Sequence, residues 1–111
     1  MLILFDHGTP RGIARHLVEH SVKEARAQGW DQLTNGELLA AAENAGFDLL
    51  LSTDKNIRYQ QNLQHRKIAI VVLSNARWRL IKPALANVVA AVNAAQPGTY
   101  TEVDIPYPSV L

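Results

Sequence analysis

The chain opens on a short apolar run, Leu2 to Phe5, that ends abruptly in Asp6. Two later runs follow the same pattern: Leu49 to Leu51 gives way to Ser52-Thr53-Asp54, and Ile68 to Leu73 gives way to Ser74-Asn75. Apolar stretches this short, without polar alternation and bounded by turn-forming residues, predict strands buried on both faces, as in a parallel sheet covered by helices. Between the runs the apolar spacing becomes helical. Ile13, Ala14, Leu17 and Val18 share one helical face after Thr9-Pro10, a favourable helix start, and His20-Ser21 is expected to end that helix. Thr34-Asn35-Gly36-Glu37 opens a second helix with Leu38, Leu39, Ala42 and Ala45 at apolar positions and Gly46 at its stop. A long last helix, with Leu85, Val88, Val89 and Val92, is expected to begin at Pro83 and to end at Pro97-Gly98.

The segments between these elements are shorter. Val22 to Ala25 predicts a second strand, followed by a loop from Gln28 to Leu33, and Ile57 to Leu63 predicts a short helix. Tyr100 to Ile105 alternates well enough for an edge strand, after which Pro106 and Pro108 keep the tail extended. Strands alternating with helices along the whole chain predict an α/β fold, a three-layer α/β/α sandwich with a mainly parallel sheet. The expected organisation is one domain over residues 1–105 and an extended tail over 106–111.

Composition narrows the function classes. A chain of 111 residues with 48% hydrophobic and 19% charged residues holds a single ordinary globular core. A net charge of +1 gives no domain-wide electrostatic footprint for nucleic acid, so any such contact rests on a local patch. The absence of cysteine excludes disulfides and thiolate metal sites. No run approaches the roughly 20 apolar residues of a membrane span. The first strand has neither the basic start nor the length of a signal peptide, so a cytoplasmic protein without a membrane partner is expected.

The acids at the strand ends carry the first candidate chemistry. In an open parallel sheet, ligands bind outside the carboxyl ends of the strands, where Asp6 and Asp54 stand. Two carboxylates brought together there repel each other unless a proton or a hard cation lies between them. With Glu37 at the helix start they form a set suited to Mg2+ or Mn2+, which generates hydroxide and neutralises charge on a phosphate during in-line displacement. Each acid also has a structural alternative. Thr34 and Glu37 match a capping box, Asp54 can cap the next helix, and Asp6 can pair with Arg11.

The segments FDHGTPRGIARHL, NGELLAAAENAGFDLLLSTDKNIRYQQNL and IAIVVLS resemble the small PIN-like proteins related to the VapC-type toxin ribonucleases. The resemblance extends to about Leu73 and more loosely beyond. It implies a PIN-like α/β/α fold and metal-dependent cleavage of RNA, plausible for the toxin half of a toxin–antitoxin pair held inactive by a cognate antitoxin. By position, Asp6 is similar to the family's acid after the first strand, Glu37 to the acid at the start of the helix before the third strand, and Asp54 to the acid of its T-x-D-type segment. Asn56 falls near a further polar ligand. Lys55, Arg58 and Arg11 would contact the substrate phosphates. The acid that fuller PIN domains carry on an earlier helix has no equivalent among Glu19 and Glu24, and this reduced set keeps a second class open: a non-catalytic PIN-like module that binds a protein partner or a second copy of itself.

Other patterns compete for the same residues. His16-Leu17-Val18-Glu19-His20 matches H-x-x-E-H, in which histidines four apart on a helix share a zinc ion. Asp6, Asp54, Ser74 and Lys82 echo a receiver-like phosphoacceptor site, but a receiver needs a helix and a strand between the last two, and eight positions cannot hold both. Arg15 and the cluster Arg77-Trp78-Arg79 add cations and an aromatic ring that can stack on a base, with a partly buried Trp78 as the alternative. Trp30 and Tyr59 fit core or interface positions better than ligand contacts.

Overall fold

The computed structural model describes residues 1–60 and 65–107, with the side chains of Tyr59 and Gln60 excluded. The apolar runs form strands as their composition dictates: β1 (Leu2–Phe5), β3 (Leu49–Ser52) and β4 (Ala69–Leu73). They are joined by β2 (Ser21–Glu24) and β5 (Tyr100–Val103) in one sheet of order β2-β1-β3-β4-β5, in which every neighbouring pair is parallel. β2 and β5 are the edges, and both show partly exposed patterns where the three inner strands are almost wholly buried.

Side chains alternate across the pleat and sort the core into two halves. Ile3, Phe5, Leu49, Leu51, Val71 and Leu73 face one side, and Leu4, Leu50, Ile70 and Val72 face the other. On the second side lie α1 (Asn35–Asn44), through Leu38, Leu39 and Ala42, and the short α2 (Ile57–Gln60), through Ile57. On the first side lie a 3-10 turn, Arg11–His16, and the helical stretch made of α3 (Trp78–Ile81), a 3-10 turn Lys82–Ala84 and α4 (Leu85–Ala94). The result is the expected three-layer α/β/α sandwich with a parallel sheet.

Connection geometry carries a finding that the residue pattern did not predict. The β1–β2 connection steps toward one edge across the first face, and the β2–β3 and β3–β4 connections step the other way across the second face, which gives all three the same hand. The β4–β5 connection steps in that same direction but crosses the first face, so its hand is opposite. Parallel crossovers are overwhelmingly right-handed, which makes this last one the exception.

Four local expectations are corrected. The helix after Thr9-Pro10 is only the 3-10 turn Arg11–His16, so Ile13 and Leu17 are buried but Val18 is 83% exposed. Thr9 does not cap it, because its hydroxyl donates to the Leu51 carbonyl instead, at 3.1 Å. The long helix begins at Trp78 rather than at Pro83, and Pro83 sits in its 3-10 turn, where a missing N–H is tolerated. Ala45, expected on the apolar face of α1, is its exposed C-cap. Of the predicted helix Ile57 to Leu63, the first four residues form α2, and positions 61–63 lie outside the described residues, as do 108–111 of the tail.

Candidate functional site

The sheet order reverses direction between β1 and β3, and Asp6 and Asp54 follow those two strands. In a doubly wound sheet of order 2-1-3-4-5 this switch point is where the connections diverge and a ligand crevice opens. Local pairing holds the two strand ends together. The Asp6 N–H donates to the Leu51 carbonyl at 3.0 Å, and Thr9 returns to the same carbonyl through its buried hydroxyl. Gly8, at φ 88°, lets the chain turn beneath Thr53, whose Oγ1 lies 3.5 Å from where a side chain at position 8 would begin.

One hydroxyl links the acids. Ser52, the last residue of β3, is completely buried and donates to Asp6 Oδ2 at 2.7 Å while its Oγ accepts the Asp54 N–H at 3.1 Å. Each remaining carboxylate oxygen accepts its own donor. Asp6 Oδ1 takes the His7 N–H at 2.7 Å, Asp54 Oδ1 takes the Asn56 N–H at 2.9 Å, and Asp54 Oδ2 takes the Asn35 amide at 2.9 Å. Both acids are partly exposed, so these bonds orient them without sealing them from solvent.

The other predicted residues take different places. Glu37 completes the capping box of α1: its Oε1 accepts the Thr34 N–H at 2.9 Å and its own N–H donates to Thr34 Oγ1 at 3.3 Å. Hydrogen bonds to the carboxyl, from the Thr34 backbone first and then from the Thr34 side chain, hold Glu37 below the ordinary glutamate range. Ser52 thus links Asp6 to Asp54, while Glu37 is engaged in the cap of α1. Asn56 contributes its backbone N–H to Asp54. Arg11 is paired with Glu24 at 2.9 Å, and Arg58 with Glu102 at 3.8 Å beside the Tyr100 ring, while Lys55 is exposed next to Asp54.

Competing patterns resolve on the same geometry. His16 and His20 do not share a helix, since the 3-10 turn ends at His16, and His20 sits between the Met1 amino group and Asn93 Oδ1 at 3.0 and 2.7 Å. Ser74 is engaged in fastening the chain after β5, accepting the Ile105 N–H at 2.7 Å, and α3 occupies the space between it and Lys82. Trp78 is half-buried, its six-membered ring against Gly12, and Trp30 meets Phe47 edge-on with centroids 6.0 Å apart. The Tyr59 side chain lies outside the described residues.

Two residues that hold the acids escaped the sequence reading. Ser52 had a usable signal, a polar residue inside an otherwise apolar strand. Asn35 was read only as part of a helix start. No family model, curated protein or solved structure matches this chain.

Proposed function

We propose that this protein is a PIN-like, divalent-metal-dependent endoribonuclease, with Asp6 and Asp54 as the ligands of Mg2+ or Mn2+. The observation that carries the reading is the placement of both carboxylates at the β1/β3 switch point, tied through a single buried hydroxyl. The donor set is all oxygen, and Mg2+ characteristically binds through one or two carboxylates plus waters and substrate phosphates rather than in a protein cage. Two oriented, solvent-open acids fit that requirement. When bound, such an ion supplies a nucleophilic hydroxide and neutralises charge on a phosphoryl group. The chain's own part is positional: Ser52, Asn35 and the N–H groups of His7 and Asn56 fix the carboxylates, and Lys55, exposed next to Asp54, would supply a cation to a substrate phosphate.

Toxin-type regulation is part of the same proposal. The edge strand β5 offers open backbone groups to which a cognate antitoxin, or a second copy, adds a strand. A non-catalytic binding module is the second reading, favoured by one observation, the engagement of Glu37 in its capping box. Calorimetry with Mn2+ on the wild type, Asp6→Ala and Asp54→Ala separates them. Binding by the wild type that both folded variants lose supports the nuclease and leads to assays on RNA, whereas no binding at millimolar Mn2+ leaves the partner-binding module.

A further inference from the structure

A cavity of about 300 Å3 adjoins Asp6, lined by Phe5 to Arg11 together with Glu24 and Arg26. Its two arginines differ in a way that decides what each can do. Arg11 is held against Glu24 at 2.9 Å, whereas Arg26, exposed in the 3-10 turn after β2, has no ion-pair partner among the described residues. On the far side of the acids Lys55 is likewise exposed and without an ion-pair partner among the described residues, in contrast to Arg58, which is paired with Glu102. Arg26 follows β2 and lines the cavity beside Asp6, whereas Lys55 follows β3 and lines a second cavity with Ser74, Glu102 and Asp104, on the side of β4 and β5.

We infer that Arg26 is a substrate-binding residue that holds a backbone phosphate of single-stranded RNA on the β2 side of Asp6, with the strand laid across the sheet's carboxyl edge toward Lys55. The inference rests on the nuclease reading and adds to it a direction for the substrate. A guanidinium in a fork geometry matches two phosphate oxygens, and its attraction offsets the repulsion that the two acids exert on an approaching polyanion. With a net charge of only +1, the whole chain supplies no such compensation, so the local cation carries it.

The test is binding of a fluorescein-labelled oligouridylate by anisotropy in Ca2+, from 50 to 200 mM salt, for wild type, Arg26→Gln and Lys67→Gln. Lys67 lines a separate cavity at the opposite edge of the sheet and controls for total charge. Loss of one phosphate contact to a single strand reduces the slope of log K against log salt by about 0.7. That reduction in Arg26→Gln and not in Lys67→Gln is the expected result, with Mn2+ affinity by calorimetry unchanged in both. Equal slopes in all three proteins, or no oligonucleotide binding at all, overturn the inference. Mn2+ calorimetry on the same samples keeps the two proposals apart: a wild type that binds RNA through Arg26 but no Mn2+ refutes the metal site and leaves the phosphate contact standing.

Discussion

Replacing Ser52 by alanine strikes the one group that both acids share. The hydroxyl is fully buried and makes two bonds, a 2.7 Å donation to the Asp6 carboxylate and a 3.1 Å acceptance from the Asp54 N–H. A hydrogen bond to a charged group contributes about 1.5–3 kcal/mol net. The backbone bond contributes about 1 kcal/mol more, and alanine leaves the Asp54 N–H without it. Relief comes only from solvent reaching the partly exposed carboxylate, which lowers the total to about 2–3 kcal/mol. Urea unfolding followed by far-UV circular dichroism reads this as a lower midpoint at constant slope. Threonine at the same position keeps the hydroxyl but adds a methyl group to a sealed site, a packing penalty of about 1–3 kcal/mol, so its Mn2+ affinity rather than its stability is the informative readout. A loss below about 0.5 kcal/mol in Ser52→Ala refutes the view that this hydroxyl organises the two strand ends.

Three further outcomes follow from contacts away from the acids. Gly12→Ala places its Cβ 2.7 Å from the Trp78 ring, which must shift, so destabilisation of about 1–3 kcal/mol and an altered tryptophan emission are expected; unchanged stability and emission refute that contact. Thr34→Ala removes the side-chain half of the capping box, the Glu37 N–H donation to Thr34 Oγ1, and lowers stability by about 1 kcal/mol in thermal unfolding. Burial pushes the Glu43 carboxyl up, but the hydrogen bond from Arg66 at 2.7 Å, the Lys67 and Ile68 N–H groups and the Arg66 charge outweigh it and hold the group below the ordinary range. A depressed folded value means stability that is present above the unfolded pKa, near 4.3, and is lost as pH falls below it. The unfolding free energy of wild type therefore drops more steeply than that of Glu43→Gln between about pH 5 and 3, and parallel curves contradict the assignment.

How much of this was legible in the chain depends on which interactions fix each element. β1, β3 and β4 were readable because burial on both faces leaves no polar alternation, and α1 because Thr34, Glu37 and Gly46 mark its ends independently of packing. The segment after Asp6 was misread because Ile13 and Leu17 satisfy a 3-10 turn as well as a helix. The competition was settled by Thr9, whose hydroxyl serves β3 instead of a helix N-terminus. Pro83 looked like a helix start because local rules allow proline there, yet Leu80 and Ile81, buried against the sheet, carry the helix back to Trp78. Asp6 and Asp54 were expected at strand ends and do follow β1 and β3, while the partners that Ser52 and Asn35 find depend on which strands are neighbours, a property of topology that the local pattern does not encode.

That topology also bears on the cavity beside Asp6, lined by Phe5 to Arg11 with Glu24 and Arg26. After β1 the chain leaves toward the face of the 3-10 turn, and after β3 it leaves toward the face of α1 and α2. The two connections therefore diverge to opposite faces beyond Asp6 and Asp54, while the β1–β3 pairing and the Thr9 hydroxyl hold the strand ends together. At β4 the chain leaves toward the first face, and Ser74 accepts the Ile105 N–H and donates to the Ile105 carbonyl, beside a second cavity lined by Lys55, Val72, Ser74, Glu102, Val103 and Asp104. The reversed hand of the last crossover stacks α3 beside the 3-10 turn, where the Trp78 ring lies against Gly12.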